Sequence, residues 1–66
     1  MNYEVTMTFK NGMRLVVPVF VDYDEETEDF DFLIIEDAMS IVSEFNSELT
    51  NTRLRDLIET VDVDRK

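Results

Sequence analysis

The residues of this chain that could do chemistry are its carboxylates. Between positions 22 and 31, seven of ten residues are acidic and none is basic. These seven are Asp22, Asp24, Glu25, Glu26, Glu28, Asp29 and Asp31. Such a run could bind a hard cation, supply an acid–base pair, or present negative charge to a basic surface. Each option requires a different arrangement in space.

The calcium hypothesis fails on spacing. Counted from Asp22, positions one, three, five and seven are acidic, as in an EF-hand loop. However, position six is Thr27, where the sharp turn needs glycine, and position twelve is Leu33, where a bidentate glutamate is needed. Counting from Asp24 fails in the same two places. The chain also has no Cys and no His, so we expect no metal site and no cofactor.

Catalysis is not expected either. Without Cys and His, the usual thiol nucleophile and imidazole base are missing. A carboxylate pair would need a cleft that separates the two pKa values. A chain of 66 residues has little room for one. We therefore predict a protein that is not an enzyme.

The charge balance indicates the class of partner. Sixteen acidic residues against six basic ones give a net charge of −10. This field repels nucleic acids and anionic lipids and attracts basic protein surfaces. We expect a protein partner with a basic surface, such as a nucleic-acid enzyme, and no direct contact with nucleic acid or membrane. With 44% hydrophobic residues the chain is expected to fold rather than form a disordered acidic tail.

Mimicry of the DNA backbone is the sharpest interpretation of the acidic run. A ridge of carboxylates can occupy the groove that normally holds phosphates. Tyr23 and Phe30 could anchor the contact as aromatic hot spots, and Glu44 and Glu48 would share one helical face. The predicted partner-binding set is Asp22, Tyr23, Asp24, Glu25, Glu26, Glu28, Asp29, Phe30, Asp31, Glu44 and Glu48. The alternative is that the acids form a solvated face and serve solubility.

The first twenty residues predict a β-hairpin. Apolar and polar residues alternate from Asn2 to Phe9, and Asn11-Gly12 is a strong hairpin-turn signal. If these two residues form the whole loop, Pro18 lies opposite Val5 at a site without hydrogen bonds. Its missing N–H would make the return strand an edge at that point. The return strand is apolar on both faces, so both are expected to be covered.

A helical pattern follows the acidic connection. Apolar residues recur at spacings of three and four at Phe32, Ile35, Met39, Val42, Phe45 and Leu49. Alternatively, residues 30–35 form a third strand and the helix begins near Asp37. A second, shorter helix capped by Asn51 or Thr52 would use Leu54, Leu57, Ile58 and Val61. Residues 61–66 are expected to fray.

These elements predict one small acidic α+β domain over residues 1–66: a two-stranded antiparallel hairpin, an acidic connection and two helices. A core this small gains from self-association, which favours a homodimer. A structural or assembly module is therefore the second functional hypothesis. It would bind through an apolar strand face with Leu15, Val17 and Val19.

In size, charge and lack of catalytic residue types, the chain resembles the small acidic proteins that bacteriophages encode against host nucleic-acid enzymes. These include anti-CRISPR proteins and inhibitors of glycosylases or nucleases. The resemblance implies an inhibitor, acting in the cytoplasm of a host cell, that blocks a basic groove. It rests on general character and on no motif, so no residue role carries over. The first residues show no signal peptide, and no apolar stretch of the sequence is long enough to cross a bilayer, so a cytoplasmic protein is expected.

Overall fold

The computed structural model describes all 66 residues. In chain order the elements are strand β1 (Asn2–Phe9), strand β2 (Arg14–Phe20), helix α1 (Phe30–Phe45), helix α2 (Asn51–Leu57) and strand β3 (Ile58–Arg65). The three strands form an antiparallel sheet in the order β2-β1-β3. The α+β class, the hairpin and the two helices are confirmed. None of the helices combines the length and the apolar character needed to cross a membrane.

The hairpin loop is one residue longer than predicted. Phe9 N–H donates to Met13 O over 2.8 Å and Gly12 N–H donates to Phe9 O over 2.9 Å, so three residues form the loop. Gly12 has φ +87°, which fits a type I turn closed by a left-handed residue. Pro18 consequently pairs with Glu4 instead of Val5. It still lies at a site without hydrogen bonds to β1, and β2 is a sheet edge as predicted.

The core lies between one face of the sheet and α1. Strand β1 contributes Tyr3, Val5 and Met7. These residues alternate with polar residues, as expected for a strand with one face in the core and the other face outside it. All twelve buried residues are hydrophobic, and no buried side-chain polar atom lacks a hydrogen-bond partner. The twelve are Tyr3, Val5, Met7, Val17, Val19, Val21, Phe30, Ile34, Ala38, Met39, Val42 and Leu54.

Residues 30–35 form the first turns of α1, so the alternative of a strand there is wrong. The sheet does have a third strand, but it lies at the C-terminal end of the chain. The buried side of α1 runs through Phe30, Ile34 and Ala38 and continues to Val42. Phe32 and Phe45, which the predicted stripe included, are exposed. Small Ala38, fully buried, allows α1 to pack closely on its neighbours.

The predicted second helix ends earlier than expected. Thr50, not Asn51 or Thr52, caps α2 through its hydroxyl, which accepts from Arg53 N–H over 3.3 Å. Leu54 enters the core, whereas Ile58 and Val61 belong to β3. The segment expected to fray is therefore a strand. Its apolar residues alternate with polar ones, and β1 supplies a hydrogen-bonding partner along its length.

Only one face of β2 is covered, contrary to the prediction. Val17 and Val19 point into the core and are each 4% exposed. On the other face Val16 is 51% exposed and Phe20 is 78% exposed. The helices pack on one side of the sheet only, so its other side stays open.

Candidate functional site

The seven carboxylates between Asp22 and Asp31, here called the acidic patch, lie at one end of the molecule. The loop of residues 22–29 leaves the end of β2 and leads into α1. At this end Val21 N–H donates to Met1 O over 3.0 Å, and Arg65 of β3 lies beside Tyr3. The hairpin loop and the start of β3 lie at the opposite end, because Lys10 N–H donates to Leu57 O.

The loop that carries the acidic patch is held by its own hydrogen bonds. Thr27 N–H donates to Asp24 O (3.0 Å), and Phe30 N–H donates to Thr27 O (3.1 Å). The Asp24 carboxylate accepts from Glu26 N–H at 3.0 Å, an Asx-type turn. Asp29 adopts a left-handed conformation with φ 60° just before α1. The carboxylates therefore extend from a defined backbone and not from an unstructured tail.

Glu25 ties the loop to the sheet. Its carboxylate accepts a hydrogen bond from the Tyr3 hydroxyl at 2.8 Å and lies 3.4 Å from Arg65 Nη1. Hydrogen bonds from its own backbone amide and from Tyr3 hold the pKa of Glu25 below its ordinary value. Burial, with this same hydrogen bond, raises the pKa of Tyr3. Glu25 therefore has a structural role within the acidic patch.

The other six carboxylates of the acidic patch have no basic partner within the chain. The molecule contains three ion pairs: Glu25 with Arg65, Glu36 with Arg55, and Glu4 with Lys66. Five of the six unpaired acids are exposed, and Asp24 is half-buried in the turn. The exposed five are Asp22, Glu26, Glu28, Asp29 and Asp31. They form a negative surface without local compensation.

The two aromatic residues predicted as anchors pack inward. Phe30 is 8% exposed, and its ring centroid lies 5.1 Å from that of Tyr3 and 6.1 Å from that of Tyr23. The hydroxyl of half-buried Tyr23 donates to Asp37 of α1. Burial, followed by this hydrogen bond, raises the pKa of Tyr23. Phe30 therefore belongs to the core and offers no ring to a partner.

Glu44 and Glu48 lie away from the acidic patch. Glu44 is in the last turn of α1, about 20 Å along the helix from Asp31 at 1.5 Å per residue. The helix ends at Phe45, so Glu48 is not on the same helical face as Glu44. Instead, Glu48 N–H donates to the Asn46 side chain in the following turn. The prediction that Glu44 and Glu48 share one helical face is therefore wrong.

The acids do not group as metal ligands. No three Asp or Glu side chains come close enough together to hold a metal ion. Five carboxylates of the acidic patch are exposed and unpaired, whereas a calcium loop turns its carboxylates towards one centre. The arrangement of the acidic patch suits contact with an extended basic surface.

A second region has the opposite character. Residues 5–21 contain no acid and two bases, Lys10 and Arg14, so all sixteen acids lie elsewhere. An apolar groove runs along the β2 edge between this strand and the end of α1. Leu15, Val16 and Pro18 form its strand side, and Ile41 and Phe45 form its helix side.

The strand face predicted for assembly was partly misassigned. Leu15 is at the groove, but Val17 and Val19 are buried beneath α1. The exposed face consists of Val16, Pro18 and Phe20, which sequence reasoning missed. The alternation of apolar and polar residues in β1 could have identified the exposed face of β2. Polar Glu4 and Thr6 mark the open face of the sheet, and their partners in β2 are Pro18 and Val16.

Comparison with protein-family models, with curated proteins and with solved structures finds no match to this chain. Its function must therefore be inferred from its own charges, contacts and exposed surfaces.

Proposed function

We propose that this protein is a non-enzymatic acidic binding module that occupies a basic, nucleic-acid-binding surface on a partner protein. The observation that supports this most strongly is the set of six carboxylates of the acidic patch that have no cation within the chain. They are concentrated at one end of the molecule, five of them on a hydrogen-bonded loop and Asp31 in the first turn of α1.

Unpaired like charges at this density destabilise the folded protein through self-repulsion. Docking against lysine and arginine side chains would relieve that repulsion. The loop is already folded, so little conformational entropy would be lost when the partner binds. A preorganised cluster of carboxylates therefore gains more from a basic partner than a flexible acidic tail would.

The contact residues of the proposal follow from exposure. Asp22, Glu26, Glu28, Asp29 and Asp31 would face the partner. Glu25 and Asp24 would hold the loop, since their carboxylates already accept hydrogen bonds. The partner would be a protein that normally binds phosphates, because a surface built for a polyanion also attracts closely spaced carboxylates. The specific form of the proposal is an inhibitor, of the kind that phages encode, that blocks a host nucleic-acid enzyme by DNA mimicry.

The test is capture of partners from a bacterial lysate on the immobilised protein, with parallel washes at low and high salt. We expect nucleic-acid-binding proteins to be retained at low salt, lost at high salt, and displaced by duplex DNA. Identification by mass spectrometry gives the partner. Retention that resists both salt and DNA would contradict docking through carboxylates.

The alternative function is an assembly module for which the acids provide solubility. It is favoured by the exposed Val16, Phe20 and Phe45 beside the β2 edge. A partner bound there would be retained at high salt, because apolar contacts are strengthened and not screened by added salt. The same capture experiment therefore separates the two functions.

A further inference from the structure

The β2 edge leaves main-chain groups without a partner. In the β1–β2 ladder, Phe9 is hydrogen-bonded to Met13 and Met1 is hydrogen-bonded to Val21. On the β2 side, the residues that bond to β1 are therefore the odd-numbered ones. The ladder alternates, so the main-chain groups of Arg14, Val16, Pro18 and Phe20 point outward. Pro18 has no N–H, so three donors and four acceptors face away from the sheet along this strand.

The other edge is protected by charge. Strand β3 carries Glu59, Asp62 and Asp64, which discourage a further strand through like-charge repulsion. Strand β2 is the only helix or strand of the protein without an acid, and its single charged residue is Arg14. Residues 5–21 carry a charge of +2, while the remainder of the chain carries −12. The β2 edge is therefore the surface on which a chain of net charge −10 can approach its own copy.

We propose that this edge pairs with the β2 edge of a second copy, antiparallel and about a two-fold axis, to give a continuous six-stranded sheet. This inference rests on the β2 edge, shares only Asp22 with the acidic patch, and does not depend on the proposed function. The apolar gain comes from Val16, Phe20 and Phe45, which are 51%, 78% and 88% exposed in the single chain.

Pro18 and the length of β2 select the register. When Val16 faces Pro18 of the second copy, about six main-chain hydrogen bonds form and only the two missing proline donors are lost. In this register Arg14 lies opposite Phe20 of the second copy. Asp22 follows β2 directly. In this register, Asp22 of the second copy is the diagonal neighbour of Arg14 on the same face of the sheet, within reach of the Arg14 guanidinium. The two-fold axis provides this pair twice.

The test is sedimentation equilibrium of the protein alone up to roughly 1 mM, at low and moderate salt. We expect a dimer that tightens as salt screens the net charge. Val16→Asp should weaken the dimer at least roughly tenfold, because it places two acids beside the axis. Thr60→Asp, the same change on the exposed side of β3, should leave it intact. A monomer at every concentration, or equal loss in both variants, would overturn the proposal.

A charge exchange tests the register. Arg14→Glu should weaken the dimer on the order of fivefold, and the double variant Arg14→Glu, Asp22→Arg should restore it. Failure of the second change to restore association would contradict this register.

Hydrogen exchange on the unmutated protein covers the case in which a variant misfolds. The amides of Val16 and Phe20 should gain protection as protein concentration rises, while the outward amide of Val61 on β3 should not. Protection at Val61 in place of Val16 would assign the interface to the other edge and overturn the proposal.

Discussion

Residues 5–21 and the acidic patch are adjacent in the chain and differ in almost every surface property. Residues 5–21 carry two bases, no acid and exposed apolar side chains. The acidic patch carries seven acids and no base, and its aromatic neighbour Phe30 is buried. One surface should bind more tightly as salt rises and the other less tightly. The two proposed contacts should therefore respond oppositely to ionic strength.

The two regions also meet the shared core differently. The hairpin contributes Val5, Met7 and Val17 directly to that core. The loop of residues 22–29 contributes no fully buried side chain and is held by hydrogen bonds, including that of Glu25 with Tyr3. Damage to the core should therefore affect both regions, whereas changes at the loop should leave the hairpin intact.

The largest effect is expected at the core. Ile34 is fully buried on α1. Replacing it with alanine should lower the free energy of unfolding by about 2–5 kcal/mol, because a cavity remains. Phe32→Ala on the exposed side of the same helix should cost about 1 kcal/mol or less, since Phe32 lies in contact with solvent and near Arg55. Urea unfolding followed by circular dichroism measures both. Equal costs would mean that the helix faces are misassigned.

Salt should stabilise the protein. Screening of the unpaired acids should raise the free energy of unfolding by roughly 1 kcal/mol between low and physiological ionic strength. Neutralising Asp22, Glu26, Glu28 and Asp29 should reduce this dependence. Melting curves over a salt series give the result. A melting temperature that stays flat or falls would show that the acids are paired locally.

The tyrosine beside the acidic patch should make the protein sensitive to alkali. The pKa of Tyr23 is raised above its ordinary value of 10.0, first by burial and then by the Asp37 carboxylate. A phenol whose pKa is raised in the folded protein stabilises the fold fully below pH 10, and this stabilisation is lost as the pH rises above 10. Tyr23→Phe should cost about 1 kcal/mol or less at neutral pH. It should also reduce the loss between neutral and alkaline pH, which chemical unfolding across that range would measure.

The smallest effect on stability is expected at acidic pH and involves Glu25. Its pKa is lowered from 4.5, so its contribution is present above pH 4.5 and is lost as the pH falls through the lower folded-state value. The unmutated protein should exceed Glu25→Gln in stability at neutral pH, and the difference should shrink below pH 4.5. A difference independent of pH would mean that the charge of Glu25 is not what Tyr3 and Arg65 recognise.

The sequence was sufficient to predict the fold class because periodicity is local. The alternation of β1 and the three-to-four spacing after Phe30 can each be identified within a few residues. The hairpin register was wrong by one residue, since Gly12 can supply positive φ in a two-residue or a three-residue loop. Strand β3 was missed because it depends on pairing with β1, whose partner residues lie 49 to 62 positions earlier.

The candidate site was predicted by composition but not in its internal arrangement. The run from Asp22 to Asp31 identifies the acidic patch without further information. The partners of Glu25 lie 22 and 40 residues away, so its structural role could not be seen locally. The end of α1 at Phe45 separates Glu48 from the helical face of Glu44, and Asn46 in an extended conformation marks that end.

The measurement that tests the central claim most directly is the affinity of the captured partner for two matched variants. The first neutralises Glu26, Glu28, Asp29 and Asp31, which lack ion pairs and side-chain hydrogen bonds within the chain. The second neutralises Glu44, Glu48, Asp56 and Glu59, which changes the net charge equally outside the acidic patch. Titration calorimetry at low salt should show at least roughly a hundredfold loss for the first variant and less than about tenfold for the second. Equal losses would mean that only net charge matters, and would contradict a defined acidic docking surface.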